Sequence, residues 1–323
     1  MLPREGHAAP TVIRGVSPWT AQCEWRRKQL TSPFQAGQTA HPGSWLKNEE
    51  RKRMPQMGLE DKVAIVTGAG SRGDGIGNGR AAAILLAREG ARVALLDAMR
   101  EWAEATKAMI EAEGGTSIVV VADVADPVSS AASVRATVDA WGRLDILVNN
   151  VGIGGPIGNA VDVDVAAWDA AMRVNVTSMM LMAKHAIPEM RKRGAGAIVN
   201  IASIDGLRGG NPSLFYSTSK GAVVNMTRSM AAHHGPEGIR VNCIAPGYVY
   251  TPMVYSRGME PELREARRKN TLLQTEGTGW DIGNGVVYLA SDQSAWVTGI
   301  ILSIDAGSMA GTVGNTTPPR AFE

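Results

Sequence analysis

The chain predicts an α/β protein built on one doubly wound, seven-stranded parallel sheet with helices on both faces. Three observations carry this. Short apolar runs recur from residue 59 to residue 304, and they are continuous rather than alternating. Segments of helical length separate them in a strict β-α-β-α order. No linker divides residues 57–310. Continuously apolar strands need cover on both faces, which a parallel sheet between two helix layers provides. Right-handed crossovers make such a sheet doubly wound.

The elements follow in order. Residues 62–67 are a first strand, running into a glycine cluster and an Ala/Leu-rich helix over 80–89 closed by Gly90. Residues 92–96 form a second strand that ends at Asp97, and a helix over 100–112 stops at Gly114-Gly115. The third strand is 117–121, and Pro127 opens a helix that ends near Trp141-Gly142. Strand four is 145–148, and a single long helical pattern fills 164–192. Strand five is 197–201, a helix covers 213–234, and strands six and seven are 239–244 and 300–304.

Residues 1–56 differ from all of this. They hold six of the sixteen prolines, three of the eight tryptophans and no sustained period. They carry nine Lys/Arg against four Asp/Glu, so the remaining residues carry 24 against 27. We read 1–56 as a mostly disordered extension, or as sequence ahead of a true start at Met54 or Met57. It lacks the apolar core of a secretory signal and shows no clear amphipathic targeting helix. The mildly acidic remainder argues against a nucleic-acid surface. No apolar stretch reaches the ~20 residues of a membrane helix. The two cysteines, Cys23 and Cys243, exclude a disulfide framework and suggest a reduced, cytoplasmic setting. No metal site is expected.

The run from Thr67 to Gly79 joins strand one to the first helix and contains six glycines, counting Gly68 and Gly79. Glycines let the backbone approach a pyrophosphate, and the following helix offers N–H donors at its positive end. The register stays open. Gly75-Ile76-Gly77 favours one alignment, and helix length back from Val93 favours Gly77/Gly79. Asp97 follows Gly79 by eighteen residues. An acid there accepts hydrogen bonds from ribose hydroxyls and repels a 2′-phosphate, which points to NAD over NADP. Arg72 is the counter-signal, a loop cation able to reach a 2′-phosphate.

Tyr216 and Lys220 stand at i and i+4, on one face of a helix. A phenol is a poor base at neutral pH, and an adjacent ammonium lowers its pKa. Ser203 ends strand five, thirteen residues before Tyr216. Taken singly, Ser203 reads equally well as a turn cap, Asn175 as a polar residue inside a helix and Asp123 as a strand-end cap.

Together these motifs resemble the short-chain dehydrogenase/reductase family, over residues 58–310. The matching residues are Gly75-Ile76-Gly77, Asp97, Asp123-Val124, Asn149-Asn150-Val151-Gly152, Asn175, Ser203, Tyr216, Lys220 and Pro246-Gly247 through Thr251. The resemblance implies a single-domain Rossmann-like fold over 57–323 and hydride exchange between a nicotinamide cofactor and a secondary alcohol or ketone. In that scheme Tyr216 is the acid/base, Lys220 lowers its pKa and holds the nicotinamide ribose, and Ser203 binds the substrate oxygen. Asn175 holds a relay water. Gly68, Ser71, Gly75, Ile76 and Gly77 cradle the pyrophosphate, while Asp123 and Val124 flank the adenine. Asn149 and Gly152 line the cofactor, and Val249 and Thr251 meet the carboxamide. The glycine loop is longer than the family pattern, and Val151 replaces a usual alanine.

The same resemblance implies a substrate lid over about 252–280 and a homotetramer, with Trp168, Met172 and Met179 at an interface. The lid's Arg257, Arg264, Arg267, Arg268 and Lys269 read as a solvated helix face, with an anionic substrate as the alternative. His233 and His234 read as surface or interface residues rather than ligands. Two other functions remain: a 3-ketoacyl carrier-protein reductase, which the acid at 97 opposes, and a non-catalytic NAD-binding regulator. A larger epimerase-type substrate domain does not fit in the 72 residues after Thr251.

Overall fold

A computed structural model of the chain describes residues 57–256, 258–312 and 314. The expectation for 1–56 lies outside the described residues, as does Arg257. Seven parallel strands pair in the order β3-β2-β1-β4-β5-β6-β7. They are β1 Val63–Thr67, β2 Arg92–Asp97, β3 Thr116–Val121, β4 Ile146–Asn149, β5 Gly196–Ile201, β6 Ile239–Pro246 and β7 Ile301–Ile304. The chain runs outward from β1 to β3, then returns to place β4 on the other side of β1. That reversal opens a crevice at the carboxyl ends of β1 and β4, where such sheets bind ligands.

Alternate residues of each strand serve opposite layers. Ala64 and Val66 join Val93, Leu95 and Val148 in one core, beneath α1 (Asn78–Arg88), α2 (Arg100–Ala112) and α9 (Gly279–Ala290). Val63 and Ile65 join Ala94, Leu96 and Leu147 in the other. That face lies against α3 (Pro127–Trp141), α5 (Ser178–Arg191) and α6 (Leu214–His234). Each fully buried Leu or Ile contributes ~1.5–3 kcal/mol, which is why the continuous apolar runs read so clearly.

Two expectations change. The long helix is not continuous: α4 (Val165–Met172) passes through a π turn at Arg173–Thr177 before α5 begins. The segment expected as a lid holds α7 (Pro252–Tyr255) and α8 (Pro261–Lys269), and α9 begins within its last residues at Gly279, where Thr278 and Asp281 form a reciprocal cap. Met179 is only 1% exposed, packed in the interior with Val223 and Cys243, so it is not an interface residue. Trp168 packs edge-on against Phe215, with ring centroids 5.6 Å apart. Among the described residues no helix is long and apolar enough to cross a membrane.

Candidate active site

The glycine loop leaves β1 with Gly68 at φ +61°, a left-handed conformation that favours glycine. Helix α1 starts at Asn78, and a Cβ on Gly79 would overlap the Gly68 carbonyl oxygen. This close crossing makes Gly77-Asn78-Gly79 the packing register, as helix length suggested. Gly75 lies instead beneath the lid, where a Cβ would meet Pro252 and the Tyr255 hydroxyl.

The start of α1 is bare. Its N-cap, Gly77, offers no side chain, and the first turn carries no acid. Its N–H donors are therefore uncommitted by side chains. A pyrophosphate fits such a helix start.

The long loop is tied from within by Arg80, whose guanidinium is fully buried. It donates to the carbonyls of Gly75 at 2.7 Å, Gly73 at 3.1 Å and Ser71 at 3.3 Å. It also reaches Thr106 Oγ1 at 3.0 Å and the Trp102 carbonyl at 3.4 Å. Sequence reasoning passed over Arg80. The signal was present, because Arg80 shares a helix face with the buried Ala83, Ile84 and Ala87.

Asp97 faces the loop from the end of β2. Its Oδ2 accepts the Gly70 N–H at 2.9 Å and its Oδ1 accepts the Met99 N–H at 3.0 Å. Arg72 is exposed, with its guanidinium 5.8 Å from the centre of the Trp102 ring. Asp123 caps the end of β3 by accepting the Ala125 N–H at 2.9 Å, beside the buried Val124.

Asn149 is buried at the end of β4, which runs one residue further than expected. Its amide donates to Asn200 Oδ1, its cross-strand neighbour, at 2.9 Å, and its own Oδ1 is enclosed without a partner. Asn150 ties β4 to the glycine loop, donating to the Thr67 and Gly68 carbonyls at 3.1 Å each.

The reactive groups converge where β4, β5 and α6 meet. Tyr216 and Lys220 lie one turn apart on α6, whose start is capped by Ser213 Oγ accepting the Tyr216 N–H at 3.1 Å. Lys220 is 4% exposed and donates to the Ile201 carbonyl at 3.0 Å. Its Nζ lies 5.8 Å from the Tyr216 ring centre. The π turn carries Asn175 into the same place, where its Oδ1 accepts the Ile153 N–H at 2.8 Å. A Cβ on Gly152 would sit 3.1 Å from Lys220 Nζ and 3.6 Å from Asn175 Oδ1, so both groups flank this glycine. Ser203 Oγ accepts the Asp205 N–H at 3.1 Å, a turn cap as well as a hydroxyl facing Tyr216. Val249 and Thr251 are both buried on the segment that leads into the lid.

Burial raises the Tyr216 pKa, opposed by the Ser203 hydroxyl and reinforced by the Asp205 carboxylate. The sequence reading expected Lys220 to pull it down. Lys220 is itself strongly desolvated, with its pKa lowered to about 8. Among the described residues no group of acids, histidines and cysteines is arranged to hold a metal ion.

The chain is similar to known proteins over most of its length. A family profile described as enoyl-(acyl carrier protein) reductase matches residues 71–309. The 2-(S)-hydroxypropyl-CoM dehydrogenase 3 of Xanthobacter autotrophicus is 39% identical over 78% of this chain and 98% of its own length. The cis-4-hydroxycyclohexanecarboxylate dehydrogenase of Sinomonas cyclohexanicum is 37% identical over 77% of this chain and 97% of its own. A crystal structure of a short-chain dehydrogenase/reductase from Burkholderia xenovorans matches with TM-score 0.74 at 39% identity, covering 79% of this chain and 99% of that one. The family profile over most of the chain, and dehydrogenases 37–39% identical over nearly their whole length, mark this chain as an oxidoreductase of the short-chain dehydrogenase/reductase family.

Proposed function

We propose that the protein transfers a hydride between NAD and a secondary alcohol or its ketone, with Tyr216 as the acid/base. The observation that carries this is Lys220. A lysine 4% exposed, without an ion-pair partner among the described residues, is costly to keep in a fold. It stands one turn from a half-buried tyrosine, at the mouth of a crevice that ends in an uncapped helix. That is a poor structural arrangement and a good catalytic one.

The bound cofactor supplies the hydride acceptor or donor. Gly68, Ser71, Gly75, Ile76 and Gly77 hold its pyrophosphate at the start of α1. Asp97 takes the adenine ribose hydroxyls with its remaining lone pairs, beside Asp123 and Val124. Gly152, Val249 and Thr251 place its reactive end. Ser203 donates to the substrate oxygen. Tyr216 takes the carbinol proton in oxidation and returns it in reduction. Lys220 holds ribose hydroxyls and, through a water near Asn175, passes the proton to solvent. A phenol with a raised pKa is protonated at neutral pH, which favours ketone reduction there and alcohol oxidation at alkaline pH.

The names of the two relatives given above contain secondary alcohols, which supports that substrate class. The carboxylate of Asp97 weighs against NADP and so against a 3-ketoacyl carrier-protein reductase. Retention of all four groups, Asn175, Ser203, Tyr216 and Lys220, weighs against a silent NAD-binding regulator. We take the assembly to be a homotetramer in the cytoplasm, and light scattering that gives a monomer at micromolar concentration would contradict the tetramer.

The test is Tyr216→Phe. Reduced-cofactor absorbance is followed with NAD and a panel of secondary alcohols. Removing a general acid/base costs about 100- to 10,000-fold in turnover while cofactor binding survives. Undiminished turnover in the variant would refute the assignment.

A further inference from the structure

Two arginines of the substrate side form no ion pair among the described residues. The other described cations of the lid helix each have a carboxylate within ion-pair distance. Arg264 forms an ion pair with Glu276 at 2.6 Å, Arg268 pairs with Glu265 at 2.7 Å, and Lys269 lies 3.5 Å from Glu265. Arg267, on the same short helix, forms no ion pair among the described residues. Its Nε is enclosed without a hydrogen-bond partner, and its nearest acceptor is the Val249 carbonyl, 3.5 Å from the terminal nitrogen. Arg208 likewise forms no ion pair there, and donates only to the Tyr248 hydroxyl at 3.2 Å.

Both guanidiniums address one ring. Arg267 lies 5.1 Å and Arg208 6.0 Å from the centre of Tyr248. They come from different segments. Arg208 follows Ser203 by five residues on the loop leaving β5. Tyr248 is on the loop leaving β6, ahead of Val249 and Thr251. These loops emerge side by side, since Ile201 pairs with Ile244 across the two strands. Arg267 reaches them from α8 of the lid. Two cations from the catalytic loop and the lid, both half-buried and set against one ring, carry charge that no ion pair among the described residues offsets. Guanidinium forks suit carboxylate, sulfonate and phosphate. The carboxylate on this loop, Asp205, accepts from Asn211 Nδ2 at 2.8 Å and forms no ion pair with either arginine.

We propose that Arg208 and Arg267 form an anion subsite beside Tyr248, and that the substrate carries a carboxylate, sulfonate or phosphate set apart from its carbinol carbon. The proposal rests on the Tyr216 reading for the reaction and adds the substrate's charge. Binding the anion also draws the lid helix onto the loop that bears Ser203, which closes the site over the substrate.

The test is calorimetry on the protein saturated with NADH, so that the anion-binding start of α1 is filled. The probes are cyclohexanecarboxylate, methanesulfonate and methyl phosphate, each against a neutral counterpart: cyclohexanecarboxamide, dimethyl sulfone and trimethyl phosphate. One anion is expected to bind at least about tenfold more tightly than its counterpart. Which one does so identifies the headgroup. The preference falls to near unity in the double variant Arg208→Met, Arg267→Met, with NADH affinity kept, and Arg267→Lys restores part of it. The proposal is overturned if no anion outbinds its counterpart, or if the preference survives in the double variant. Should the variant lose NADH, the wild-type comparison decides alone. Turnover of neutral alcohols without a charge preference would leave the oxidoreductase reading standing. A charge preference without turnover of any secondary alcohol would do the reverse.

Discussion

Replacing Lys220 by methionine removes the one buried ammonium of the site while keeping most of its stem. In the fold this lysine is displaced from 10.5 to about 8 by desolvation. At about 1.36 kcal/mol per pH unit, its charged form costs the folded state ~3 kcal/mol. The lost bond to the Ile201 carbonyl gives back about 1 kcal/mol. Lys220→Met should therefore stabilise the protein by ~2 kcal/mol, which for a domain of this size raises Tm by about 4–8 °C. The pH dependence has a definite sign. Between the folded and unfolded values the unfolded chain binds more protons, so stability of the parent rises with pH across that window. The variant's advantage is full below about pH 8 and gone above about pH 10.5. Denaturant melts of both proteins at neutral and strongly alkaline pH measure it, and turnover of the variant should be lost. A variant less stable than the parent at neutral pH, or an advantage independent of pH, would refute the reasoning.

Arg80→Met should unfasten the glycine loop, leaving the Ser71, Gly73 and Gly75 carbonyls and the Thr106 hydroxyl without this donor. Stability should fall by ~2–4 kcal/mol and the Kd for NAD should rise at least about tenfold, read by melting and by NADH fluorescence titration. Arg80→Lys should rescue little, because one ammonium cannot replace a planar fork. Asp97→Ala should weaken NAD and relieve the repulsion of a 2′-phosphate. The ratio of kcat/KM for NAD over NADP then drops by about 10- to 100-fold, measured with the two cofactors side by side.

The seven strands were legible because each is a continuous apolar run, and such runs have no other use between helix layers. The helices over 100–112 and 127–141 were legible from proline and glycine punctuation. The π turn at Arg173–Thr177 was not, since one extra residue per turn barely disturbs an apolar pattern. The bond from Asn149 to Asn200 was not legible, since strand order and register are properties of the fold. Arg80 was hidden because a charge at the head of an Ala-rich helix ordinarily faces water. The Tyr216–Lys220 spacing was plain, but their pKa directions were not, since sequence shows neighbours and burial is a property of the fold. The matched and unmatched lid cations could be told apart only once Glu276 and Glu265 were placed beside Arg264 and Arg268.

Hydride transfer between a carbinol carbon and NAD at Tyr216 leaves an isotopic trace. The protein is incubated with NAD and secondary alcohols deuterated at the carbinol carbon, and the cofactor is examined by mass spectrometry. One alcohol class is expected to pass its deuterium to the nicotinamide, and Tyr216→Phe to nearly abolish the label. A cofactor that binds but stays unlabelled with every alcohol, or a label that persists in the variant, would contradict that transfer.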